Sequence, residues 1–353
     1  MHRIVKLITY RIVLGVLIGG GIVTPLKADE RRFERTEPHM GTEFTISLYA
    51  PGDQQAEAAL TAAFARIAAL DQSLSHYRRD SELSQLVAAA PHSTGIPVSD
   101  DLWTVLSRSQ ELSRLTQGAF DVTVGPLSRM WRHARRQKQF PTKSRFEAAR
   151  RLTGFSRMKL DEQDQAVRLE RRGMRLDLGA IAKGYALDEA LAVLRQQGIS
   201  IALIDGGGDL LVADPPPGKT GWRVGLSALS QGHPQEVIVI ANQAIASSGD
   251  LNQFVVLDGV RYSHLIDPRT GMPLTMRSMV TVTAPTGMDA DAMASIVSVL
   301  GPQQGLAFLE EQPQCEGRFA SLTESITASD QDQGQQGSLK ILQTSAFPQA
   351  EMP

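Results

Sequence analysis

The chain has 353 residues, a formal net charge of −2 and 42% hydrophobic content, enough for a sizeable core in one large domain or two smaller ones. The near-balanced charge, with no basic stripe carrying interleaved aromatics, gives no footprint for nucleic acid. The single cysteine, Cys315, excludes an internal disulfide and a CxxC zinc site, and the seven histidines lack metal-ligand spacing.

The first 28 residues differ in character from the rest of the chain. Arg3, Lys6 and Arg11 make a positive n-region, and residues 12–23 form an uncharged apolar run that Pro25 ends. The run is short and glycine-loosened for a spanning helix, and Ala28 closes a cleavage site. Residues 1–28 therefore read as a secretory signal peptide without a lipid-attachment cysteine, and they predict a periplasmic mature chain. An uncleaved anchor on the periplasmic side of the inner membrane is the alternative.

Residues 43–49 (EFTISLY) alternate like a strand, after His39-Met40-Gly41-Thr42. Residues 55–74 are alanine-rich with helical periodicity, and Asp80 or Ser81 can cap a helix beyond them. A helix over 101–115 leads into Gly118-Ala119-Phe120-Asp121, and residues 131–151 are basic and polar, the composition of a surface excursion. Residues 159–160 and 166–169 predict a hairpin. It feeds residues 177–195 (DLGAIAKGYALDEALAVLR), around which the rest of the chain is arranged. Leu187, Leu191 and Leu194 there fall on one helical face. Gly179 and Ala180 leave the backbone of the first turn open to a ligand, and free N–H groups at such an end favour phosphates. Lys183, one turn in, adds a positive charge; a plain capped helix with Asp177 as N-cap stays open at this point.

Residues 199–204 read as a buried strand running into Asp205-Gly206-Gly207-Gly208-Asp209, which lacks the third glycine of a dinucleotide fingerprint. Asp205 and Asp209 are assigned to bracing that turn. Strands come next at 222–226, 237–241 and 255–257, with Ala246-Ser247-Ser248-Gly249-Asp250 as a connection between the last two. A strand over 262–266 carries His264 and Ile266 and ends in the turn Asp267-Pro268-Arg269-Thr270-Gly271. After a strand at 279–284, a helix over 289–300 holds Asp291 and Ser295 four residues apart on one side. A carboxylate and a hydroxyl are hard-oxygen donors of the kind Mg²⁺ takes, although acids at a helix start also simply complement its dipole. The Gln/Asp/Gly/Ser-rich stretch at 323–340 predicts a flexible segment.

DLGAIAKGYALD, DGGGDL, ASSGD, SHLIDPRTG and DADAMAS, in this order, resemble the ApbE-type FAD:protein FMN transferases, and MGTEFTISLY, YRRDSELSQL and GAFDVTVGPL match the same family's N-terminal half. The resemblance runs from about Thr36 to Gly301. It implies an α+β, T-fold-like architecture of mixed, largely antiparallel sheets with packed helices, one domain over 29–345, and FAD bound between two lobes. It also implies Mg²⁺-dependent transfer of FMN from FAD to a threonine or serine of an acceptor protein, with AMP released. Acceptors of this kind include flavoprotein subunits of NADH:quinone reductase or Rnf-type electron-transport complexes. Carried over by motif, Met40, Tyr77, Ala119, Phe120, Asp121, Asp177, Lys183 and Ile266 are FAD contacts. The metal ligands are Asp291, the Ser295 hydroxyl and the Ala180 carbonyl, and His264 is the base. Ser295 stands where the family usually has threonine, and Arg79 and Val122 replace prolines common in its motifs. An Mg²⁺-dependent FAD pyrophosphatase and a non-catalytic flavin-binding protein of the envelope remain as alternatives.

Overall fold

The computed structural model describes residues 30–226, 229, 236–249, 253–323 and 338–351; the segment read as a signal peptide and residues 324–337 of the stretch read as flexible lie outside them. The alternating run after Met40 forms a strand, and so does the charged run before it. β1 (Arg31–His39) and β2 (Thr42–Ala50) pair antiparallel from Arg31↔Ala50 to His39↔Thr42. β1 escapes the sequence reading because it is a sheet edge, where charged side chains alternate with half-buried ones.

Beyond the hairpin come α1 (Asp53–Leu74), α2 (Glu82–Ala88), β3 (Ile96–Pro97) and α3 (Asp100–Leu115). Ser81 rather than Asp80 caps α2, its Oγ accepting the Ser84 N–H at 3.1 Å. The basic stretch expected to be a surface excursion is instead two helices, α4 (Gly125–Gln137) and α5 (Lys143–Leu152). Polar composition hides their narrow apolar stripe: Trp131, Ala134 and Ala149 are buried, and Trp131 donates its indole N–H to the Gly271 carbonyl at 2.9 Å. The hairpin β4 (Met158–Asp161) and β5 (Ala166–Leu169) forms as expected and takes β3 as a third strand.

The second half runs α6 (Ala182–Gln196), β6 (Ala202–Gly206), β7 (Leu210–Val212), β8 (Trp222–Gly225), β9 (Val237–Ile240), β10 (Gln243–Gly249), β11 (Phe254–Leu257), β12 (Val260–Ser263), β13 (Ser278–Ala284), α7 (Gly287–Glu310), β14 (Glu316–Thr323) and β15 (Ser338–Gln343). Five expectations change here. The 177–195 helix starts only at Ala182. The Ala246–Gly249 connection is the body of β10, paired with β13 from Ala244↔Ala284 to Gly249↔Met279, where small residues pack as well as large ones. The strand expected over 262–266 ends at Ser263, leaving His264 in the loop behind it. Residues 338–340, expected to be flexible, open β15 against β14. The helix at Asp291 extends past residue 300, where Gly301 leaves the helical region at φ 79° before Pro302.

The central sheet has eight strands in the order β1-β2-β6-β7-β10-β13-β14-β15, every pair antiparallel, with smaller antiparallel sheets at its side. The architecture is thus α+β, mixed and largely antiparallel. Phe44, Ile46, Leu48, Val280, Val282 and Phe319 from the sheet meet Leu60, Ile67, Leu187 and Ile296 from α1, α6 and α7 in one core. Each such fully buried side chain contributes about 1.5–3 kcal/mol. The starts of α6 and α7 cross at Gly184 and Gly287, where a methyl group on either would run into the other's carbonyl. That crossing brings Asp291 and Ser295 against the front of α6.

Candidate active site

A cavity of about 580 Å³ lies in front of this crossing. Met40, Tyr77, Ala119, Phe120, Asp121, Asp177, Ala180, Lys183, His264, Ile266, Asp291 and Ser295 all line it. Twelve positions singled out along the sequence therefore share one hollow. They come from six stretches of chain: Met40, Tyr77, residues 119–121, residues 177–183, residues 264–266 and the start of α7.

Met40 is the first central residue of the two-residue turn closing β1–β2, at φ 51°, with Gly41 at φ 78°. Such hairpin turns need both central residues on the positive-φ side, and a non-glycine residue there costs about 1–2 kcal/mol. The turn holds Met40 at the cavity rim, which its sequence setting as an ordinary strand entry does not reveal.

The front of α6 has an unusual hydrogen-bond pattern. Asp177 Oδ1 accepts the Gly179 N–H at 3.1 Å, closing a turn before the helix rather than capping it directly. The Gly184 N–H, which in a regular helix would reach the Ala180 carbonyl, donates instead to Asp291 Oδ2 at 3.2 Å. Among the described residues the Ala180 carbonyl consequently has no helical partner. Asp291 is 7% exposed, and burial lifts its carboxyl to about 7, with Lys183 opposing the shift and Asp209 adding to it. Ser295 sits half-buried one turn along α7, on the same side.

Lys183 is half-buried rather than a free surface cation; its ammonium pairs with the buried carboxylate of Asp209. Burial works against that charge, yet Asp291, Asp209 and Asp205 together hold the lysine above its usual value. Asp205 does brace the glycine turn, accepting the Gly208 N–H at 2.8 Å, and Gly207 and Gly208 have φ of 77° and 99°. Asp209 differs from the sequence assignment: its backbone closes the turn, while its side chain faces the cavity.

At the mouth Tyr77 is 66% exposed, tilted against the His76 ring at 3.9 Å between centroids, with the Arg132 guanidinium 5.1 Å from its own centroid. His76 Nδ1 lies 3.5 Å from Asp177 Oδ1, its Nε2 has no partner among the described residues, and burial lowers its pKa. Phe120 and Ala119 are buried in the wall. Asp121 is turned to local work: its Oδ1 accepts the N–H and hydroxyl of Thr123 at 2.8 and 2.7 Å, and burial raises its pKa. His264 and Ile266 also line the cavity; the His264 backbone N–H donates to the Gln253 carbonyl at 2.8 Å, and Ile266 bridges to Pro273. Sequence reasoning missed His76, Arg132 and the inward side chain of Asp209. Arg132 was hidden in a polar segment; an acid following a glycine turn and facing Lys183 could have been paired only with the fold in hand.

The ApbE family matches residues 40–319. A FAD:protein FMN transferase of Vibrio cholerae is 33% identical over 281 residues, 77% of this chain and 83% of the relative. That of Treponema pallidum is 30% identical over 320 residues, 86% of this chain and 88% of the relative. Among solved structures, the flavin transferase ApbE from Vibrio cholerae superposes with a TM-score of 0.78 at 30% identity, covering 90% of this chain and 98% of that one. The apo flavinyl transferase ApbE of Pseudomonas stutzeri gives 0.76 at 28% identity, covering 90% and 96%. With the family model spanning residues 40–319 and relatives aligned over most of their length, the chain belongs to the ApbE family of flavin transferases.

Proposed function

We propose that the cavity binds FAD and transfers its FMN half, with Mg²⁺, to a threonine or serine hydroxyl of exported flavoprotein subunits, releasing AMP. The observation that carries this reading is the one hollow lined by His264 together with Ala180, Asp291 and Ser295. In the reaction the acceptor oxygen forms a bond to the FMN phosphorus, and the bond from that phosphorus to the AMP phosphate oxygen breaks. His264 takes the hydroxyl proton as general base. Tyr77 offers an exposed ring face for the flavin, and Lys183 supplies positive charge beside the pyrophosphate.

The donor set fits Mg²⁺: one carboxylate, one hydroxyl and one carbonyl freed from its helix leave room for water and phosphate oxygens. No group of three or more His, Cys, Asp or Glu side chains suited to a metal occurs among the described residues, so the substrate's own phosphates would complete the shell. When bound there, the cation would offset charge on the pyrophosphate as AMP leaves. NADH:quinone reductase and Rnf-type subunits are acceptors of the proposed kind, and the signal-like segment at 1–28 supports a periplasmic site of action. Incubation with FAD and such a subunit tests the reading by mass spectrometry. A mass gain of FMN less water on the subunit supports it. Free FMN and AMP alone would make the chain a pyrophosphatase, and unchanged FAD would make it a flavin-binding protein.

A further inference from the structure

A strongly basic face of the molecule adjoins the flavin cavity. Residues 125–152 carry nine lysines and arginines against one acid, Glu147, in a chain of net charge −2. Because α4 and α5 turn their apolar stripe inward, most of these cations are exposed, while Arg132 and Arg135 are half-buried at the flavin cavity. Along them runs a second concavity of about 590 Å³, lined by Arg78, Arg79, Arg129, Arg132, Arg172 and Arg175. It meets the flavin cavity at His76, Tyr77, Ser128, Arg132 and Asp177. Past Arg129 and Arg175 a third hollow of about 630 Å³ continues it to Arg136 and Arg145.

Most of these arginines lack an internal counter-ion among the described residues. Arg78 bonds Asp80 at 3.1 Å, but no acid pairs with Arg79, Arg129, Arg132, Arg172 or Arg175 among the described residues. Asp177, at the junction with the flavin cavity, is the one acid in the groove's lining. Burial and the neighbouring Arg129 lower the pKa of Arg175, and burial and Arg132 lower that of Arg135. Such crowding of like charge disfavours the fold unless an external anion relieves it.

The anion's form is set by shape and donor type. Guanidinium forks match carboxylates in bidentate pairs, and neither hollow's lining includes a lysine. A membrane surface would meet a flat or convex face with projecting apolar anchors, whereas these cations line a trench. We propose that the trench is the docking site for an acidic segment of the acceptor protein, which it leads to the mouth of the flavin cavity beside Tyr77. Only the identity of the partner rests on the flavin-transfer reading.

The test uses the full chain and a fluorescein-labelled oligo-aspartate peptide, with a serine-glycine peptide as control, followed by fluorescence anisotropy. The acidic peptide should bind at least about tenfold tighter, with affinity falling as salt rises, the weight of a few partly exposed Arg–carboxylate pairs. The Arg129→Gln/Arg172→Gln/Arg175→Gln variant should lose that preference while its FAD dissociation constant and melting temperature stay unchanged. The corresponding triple lysine variant, which keeps the charge, should retain most of the preference. Equal binding of both peptides by the unmodified chain would overturn the proposal, as would full acidic-peptide binding by the glutamine variant. Loss of FAD binding at an unchanged melting temperature would assign the arginines to the flavin site and overturn it as well. So would capture by phosphatidylglycerol-containing vesicles without peptide preference. Failure to flavinylate any protein, with acidic-peptide binding intact, would instead strike the transfer reading and leave the trench.

Discussion

At the residue scale, the front of α6 divides the proposed labour. Asp291→Ala removes the one carboxylate of the proposed cation site, leaving a hydroxyl and a carbonyl, both weaker ligands for Mg²⁺. Metal-dependent turnover should vanish in that variant; activity retained at low Mg²⁺ would take Asp291 out of the site. Ser295→Thr keeps the oxygen and should be nearly silent, whereas Ser295→Ala should raise the Mg²⁺ concentration for half-maximal rate. His264 lines the same cavity as these groups, and its proposed task concerns the acceptor rather than FAD. His264→Ala should therefore slow transfer by about 10²–10⁴-fold, the usual cost of removing a general base, with FAD affinity within a few-fold of the original. Partial recovery of the rate at high pH would agree with a missing base, because the acceptor hydroxyl then ionises more readily. A variant that turns over normally would return His264 to the status of a loop residue. A collapse of FAD affinity would make it a ligand contact instead.

At the scale of elements, the crossing of α6 and α7 is what holds Asp291 against the Gly184 N–H. Gly184→Ala sets a methyl group against the Gly287 carbonyl, and so it should destabilise the chain by about 1–3 kcal/mol or more in denaturant unfolding. Stability equal to that of the unmodified chain would mean the crossing can open without loss. Asp188 anchors the same junction from α6, accepting the N–H groups of Gly287 and Met288 at 2.6 and 2.9 Å. Burial nonetheless raises its pKa from the ordinary 3.8 to about 6, outweighing those two bonds. An acid raised on folding contributes stability that is fully present below its unfolded value and lost as pH rises through its folded one. Relative to Asp188→Asn, the unmodified chain should thus lose about 1–3 kcal/mol between pH 4 and pH 6 and then level off. The opposite slope would show that the helix-terminus bonds outweigh desolvation. Long elements such as α1 and α3 were legible in the sequence because their apolar period is sustained over several turns. The ends of elements at the site were not: Ala182 opens α6 late because Asp291, more than a hundred residues away, captures the Gly184 N–H. β1 and α4 were hidden because charge on one face masks burial on the other.

At the scale of the whole molecule, twelve candidate residues converge on one cavity although composition and periodicity connect few of them. The sequence supplied local chemistry, such as Asp291 with Ser295 on one helix side. Joining that pair to His264 and Tyr77 requires the antiparallel sheet that brings β2, β6 and β10 together. Every residue lining the cavity follows residue 39, so the site's residues are separate in sequence from the signal-like segment at 1–28. That separation makes export a distinct, testable property. The basic residues Arg3, Lys6 and Arg11 precede an apolar run at 12–23, shorter than the roughly 20 residues that span a bilayer. Residues 1–29 fused to a reporter active only in the periplasm should give signal, and deleting residues 12–23 from the full chain should hold the protein in the cytosol. The retained protein should still bind FAD with unchanged affinity in cell extracts, since every cavity residue lies after residue 39. A fusion active only in the cytosol would move the site of action inside the cell. Acceptors would then have to be sought among cytosolic proteins, although the chemistry proposed for the cavity would be unaltered.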